Sequence, residues 1–194
     1  MCDSTNKKGQ AIFKRYNIEM MKDYKALFDN LMRICLFKAS PKDLPDSSNL
    51  NIQLLVLYFI SGVVLLSSGA ALGVAVVEAL LEIILLIGFI YAVLTFFNAS
   101  YRFNQTLAAL LGTGIIFTSL STPFVYINNA SRQAENSAGI EGFFLLILFG
   151  WSVVVMVKIL AEAINKPALF SGLITFCYLY LSYQIINAIY PAIT

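Results

Sequence analysis

Residues 54–97 read LLVLYFISGVVLLSSGAALGVAVVEALLEIILLIGFIYAVLTFF, and among these 44 residues only Glu78 and Glu82 carry charge. At about 1.5 Å per residue one helix of that length would reach about 66 Å, roughly twice the 30 Å of a bilayer's hydrocarbon core. The stretch therefore folds back as two spans. Outward from it lie three further apolar runs, Thr106–Ile127, Gly142–Ala161 and Ala168–Tyr190, each long enough to cross a membrane. The pattern predicts an all-α polytopic membrane protein, a bundle of five transmembrane helices over about 52–68, 76–97, 106–127, 142–161 and 168–190.

Composition agrees. Hydrophobic residues make up 59% of the 194 and charged ones only 12%, where about 25% is usual in soluble domains. Nine of the 13 Lys and Arg precede Pro45, but acidic residues are interspersed among them, so no basic face for nucleic acid is expected. Histidine is absent, which removes the commonest general base and the commonest metal ligand. Cys2, Cys35 and Cys177 form no CxxC pair. No nucleophile elbow, HExxH, GxGxxG or P-loop is present, so neither a catalytic residue nor a cofactor or metal site is expected.

The chain divides into a cytoplasmic N-terminal part, residues 1–48, and a transmembrane part, residues 49–194. Within the first, Phe13, Tyr16, Met20, Tyr24, Leu27, Leu31 and Ile34 recur every three or four residues from Ala11 to Lys38. They predict an amphipathic helix, lying along the membrane surface or packed on the cytoplasmic ends of the spans. The turn between the first two spans falls in Ser67–Glu78, a kink or break is expected at Pro123, and Asn128–Glu141 reads as a long polar loop. Trp151, near the middle of the fourth span, is expected to pack in the bundle. With the N-terminus inside, the inner flanks hold twelve basic residues and the outer flanks only Arg132, which places the C-terminus outside.

Four charged residues in the spans are the candidate functional groups. Glu78 and Glu82, four apart, share one face of the second span. A carboxyl in hydrocarbon is costly and points to a proton relay or a cation site. The competing reading has the turn come as late as Ala75, leaving Glu78 at headgroup level. Lys158 and Glu162 repeat the spacing near the inner end of the fourth span, where Lys158 can snorkel to the interface and pair with Glu162.

A cytoplasmic segment followed by five closely spaced spans resembles the Yip-domain family (Ypt/Rab-interacting membrane proteins), bacterial branch. Ser40-Pro41-Lys42-Asp43-Leu44-Pro45 before the first span and Arg102-Phe103-Asn104-Gln105-Thr106-Leu107 opening the third carry the likeness. The resemblance implies a non-enzymatic protein of the bacterial inner membrane that organises membrane or assembles complexes. Its partners would be the lipid bilayer and other membrane proteins or further copies of itself. The rival expectation is a small transporter or channel subunit using the intramembrane carboxylates.

Overall fold

A computed structural model describes residues 25–133 and 140–189, with the side chains of 131–133 left aside. The first half of the expected amphipathic helix, residues 11–24, lies outside the described residues. Six helices follow in order: α1 (residues 25–35), α2 (Ser48–Leu66), α3 (Leu72–Phe96), α4 (Phe103–Gln133), α5 (Ile140–Ile164) and α6 (Ala168–Ile189). No strand occurs among the described residues, and α2 to α6 are each long and apolar enough to cross a membrane. The protein is an all-α bundle. α2, α3, α6, α5 and α4 pack in that cyclic order, with α4 returning to α2.

Three boundaries differ from expectation. The first turn, at residues 67–71, lies inside the expected Ser67–Glu78, but α3 begins four residues before the expected 76, so the late-turn reading fails. Hydroxyls end α2 here: Ser67 Oγ donates to Val64 O at 2.9 Å and Ser68 Oγ to Leu65 O at 2.8 Å, adding side-chain donors to the carbonyls of the last turn. Asn129 Nδ2 then donates to both Ser68 O and Ser68 Oγ at 3.2 Å, clamping the turn to α4. The same contacts explain the second difference. α4 runs through Pro123 to Gln133, shortening the polar loop, because Tyr126 and Asn129 are held helical against α2; Tyr126 Oη donates to Val64 O at 3.1 Å.

The third difference is the place of α1, which packs against the bundle's flank and not on its end. Leu31 packs over Gly112, nine residues or about 14 Å into α4. Leu31, Ile34 and Cys35 are buried. Trp151 Nε1 donates to Cys35 O at 3.0 Å, and Lys158 Nζ donates to Phe37 O at 2.9 Å. Trp151 is thus 45% exposed, and its ring stacks on Phe37 at the bundle's edge instead of filling its centre.

Phe37, Asn98 and Asn165 end α1, α3 and α5 in the left-handed conformation. In each case the next amide reaches back five residues: Lys38 N to Arg33 O, Ala99 N to Leu94 O, Lys166 N to Ala161 O. Asparagine tolerates this geometry. Phenylalanine does so at a cost of about 1–2 kcal/mol, offset here by Trp151 and Lys158.

Packing is polarised along the bundle axis. The near end, which holds Ser48, Phe96, Arg102 and Ile164, buries Ile90, Leu94, Leu107, Leu111, Val155 and Ile159 with the docked α1. Towards the far end, none of residues 55–66, 114–127, 140–154 or 179–189 is buried. The near half is the more tightly packed; in the far half burial among the described residues is confined to Ala75, Ala79 and Ile83 of α3 and Asn128 of α4.

Candidate functional site

The early start of α3 puts Glu82 ten residues, about 15 Å, from the helix's far end. Tyr58, ten residues into α2, stands at the same level and donates its hydroxyl to Glu82 Oε1 at 2.9 Å. Two close approaches make this pair possible. α2 and α3 meet at Gly62, where an added Cβ would lie 3.7 Å from Ala79 Cβ. At Gly114 of α4 an added Cβ would lie 2.6 Å from Tyr58 Cε2, so the ring occupies space that only glycine leaves.

Glu82 opens onto a cavity of about 470 Å³ to which all five spanning helices contribute. The cavity extends from the level of Leu110 and Met156, mid-bundle, to that of Leu65, Val125 and Leu145 near the far end. Its wall is mostly apolar and aromatic, with Tyr58, Phe117, Phe149 and Tyr178 among the lining side chains. Tyr178 is 9% exposed and is fixed by stacking on Phe89 of α3, centroids 4.4 Å apart. Two of the hydroxyl side chains along the wall are turned back on their own helices: Thr113 Oγ1 donates to Ala109 O at 2.8 Å, and Ser152 Oγ to Phe149 O at 2.7 Å. The tight near half forms the floor of this vestibule.

The four predicted residues do not share a site. Glu82 lines the cavity; Glu78, one turn nearer the far end, does not, and it makes no hydrogen bond or ion pair among the described residues. Lys158 and Glu162 pair at 3.8 Å near the opposite end, where Lys158 also holds Phe37. No basic side chain pairs with Glu82 among the described residues.

Sequence reasoning missed Tyr58 and Tyr178. A tyrosine at the centre of a span, far from the interfacial belt where the residue is usually found, was the available signal for Tyr58. It also missed what Arg102 does, reading it as a marker of topology and as part of the motif that opens the third span. Arg102 Nη1 donates to Glu162 O at 2.8 Å and Ala163 O at 3.1 Å, placing a cation on the open carbonyls at the end of α5. Beside it, Asn51 Nδ2 donates to Asn104 Oδ1 and Asn104 Nδ2 to Asp46 Oδ1, joining α2 to α4 at the near end. Comparison with protein-family models, curated proteins and solved structures finds no match for this chain.

Proposed function

We propose that this membrane protein is a small transport protein, or a subunit of one, that binds its solute at Glu82. The observation that carries the reading is the Tyr58–Glu82 hydrogen bond at mid-bundle, facing a cavity. An acidic side chain at the centre of a spanning helix costs at least about 2.5–3.5 kcal/mol when charged. No described cation offsets that charge, so the counter-charge has to be a proton or a cation arriving through the cavity. Retaining a carboxyl under those conditions makes sense where the exchange of that counter-charge is the task.

The basic-residue count supports a cytoplasmic near end, which makes the cavity an outward-facing vestibule above a closed inner half. The Yip-domain layout supports a different role, in membrane organisation, seated in the N-terminal segment. Within that segment Leu31, Ile34 and Phe37 are engaged with the bundle itself, which favours a structural part for them.

The test uses proteoliposomes loaded with a pH-sensitive dye and given an imposed pH gradient. Ammonium, short-chain alkylammonium ions, sodium and potassium are then added in turn. At least one should collapse the gradient through the unmodified protein and fail to do so through Glu82→Gln. Identical traces for the two proteins with every cation would refute the proposal.

A further inference from the structure

We infer that the ligand of the Glu82 cavity is a compact organic ammonium ion with short alkyl arms. The inference deepens the transport reading and rests on it. Charge comes first. One carboxyl lines the cavity, and its Oε1 is already engaged by Tyr58, while no described side chain hydrogen-bonds to Oε2. The cavity therefore offers at most one negative charge, matching a monocation, and its remaining side-chain oxygens are hydroxyls.

The wall then discriminates among monocations. A hard inorganic cation replaces its hydration shell with about six or more oxygens in fixed array. Here the hydroxyls of Thr113 and Ser152 are committed to their own helices, those of Thr118 and Ser121 stand one and two turns beyond Gly114 along the wall instead of gathered round Glu82, and among the described residues no group of acidic, Cys or His side chains suits a metal ion. The same wall presents aromatic rings. Tyr58 and Tyr178 stand beside Glu82, Phe117 lies one turn beyond Gly114, and Phe149 stands at the rim, more than half exposed. Ring faces attract weakly hydrated ammonium ions, and Leu86 and Met156 suit their alkyl arms.

Size agrees. About 470 Å³ falls in the range that holds small organic ligands, and it far exceeds the needs of a proton or a bare metal ion. Tyr58 has a part in this selection, because its ring is fixed between Gly114 and Glu82 and supplies both the hydrogen bond and an aromatic face.

The experiment is equilibrium binding of radiolabelled tetraethylammonium to the full chain in lipid nanodiscs, with sodium as competitor. Saturable binding of one ion per chain is expected. Glu82→Gln should weaken it at least 100-fold. Phe117→Leu, which keeps the carboxyl and guards against a misfolded Glu82 variant, should weaken it about 2- to 30-fold, the range of a cation–π contact converted at 1.4 kcal/mol per decade. Equal binding by the unmodified and Glu82→Gln proteins would mean partition into the bilayer and would overturn the inference, as would equal displacement by sodium. If tetraethylammonium fails to bind while sodium or a proton still moves in a Glu82-dependent way, the ligand class is wrong and the site stands. If neither binding nor Glu82-dependent movement is found, both fall.

Discussion

Gly114→Ala is the smallest change that should disturb the site without touching its chemistry. The new Cβ would stand 2.6 Å from Tyr58 Cε2 and 3.2 Å from Cδ2. Carbon atoms prefer about 3.5–4.0 Å, so the ring must retreat by about 1 Å. Its hydroxyl moves with it, and a 2.9 Å bond to Glu82 becomes too long to hold. Overpacking of this kind costs about 1–3 kcal/mol, and an interhelical hydrogen bond in a membrane contributes about 0.6–1.7 kcal/mol. Gly114→Ala should therefore destabilise by about 2–4 kcal/mol, and Tyr58→Phe, which removes the hydroxyl alone, by no more than about 1.7 kcal/mol. Unfolding in mixed micelles against increasing dodecyl sulfate measures both. The decisive comparison is a double-mutant cycle. In a Tyr58→Ala background the ring is gone, so adding Gly114→Ala should cost less than about 0.5 kcal/mol. Additive costs would refute the claim that Gly114 exists to seat Tyr58 against Glu82.

Two further predictions address the near half. Arg102→Met removes the charged donor from Glu162 O and Ala163 O; hydrogen exchange at residues 160–166 should quicken by roughly 10- to 100-fold, from about 1.5–3 kcal/mol per charge-assisted bond, with no change in any Glu82-dependent flux. Cys35 tests the docking of α1. Burial pushes its thiol from an ordinary 9.0 up to about 11, so at pH 8 its thiolate is roughly 100-fold scarcer than in an open cysteine. In a protein with Cys2 and Cys177 changed to Ser, maleimide labelling should be correspondingly slow and should rise with pH towards 11. Lys158→Met, which frees Phe37 O, should speed it. Fast labelling of the otherwise unmodified protein would place α1 in water.

The number of spans was legible because hydropathy over twenty residues reports on the bilayer directly, whatever the neighbouring helices do. What escaped the sequence depends on partners distant in the chain. The end of the first span near Ser68 was legible, but where the turn closes and α3 begins was not; Asn129, 61 residues from Ser68, holds the turn. The apolar face of α1 was plain, but lipid and a bundle flank satisfy such a face equally well, and only Gly112 and Trp151 select the flank. Glu82 was visible as a misplaced charge. Its role depended on where α3 begins and on Tyr58 and Tyr178 from two other helices, and hydropathy is blind to all of these. Lys158 and Glu162, four apart on one helix, were fully readable because their pairing is local.

If Glu82 binds its solute as proposed, solutes reach it, halfway along the bundle, through a vestibule open at the far end. Oriented proteoliposomes treated on one face with a charged, membrane-impermeant carbodiimide, followed by peptide mass spectrometry, test it directly. Glu82 should be modified from the face bearing residues 67–71 and not from the face bearing Arg102, and tetraethylammonium should protect it. Modification by a membrane-soluble carbodiimide alone, or equally from both faces, would mean that no such vestibule leads to Glu82.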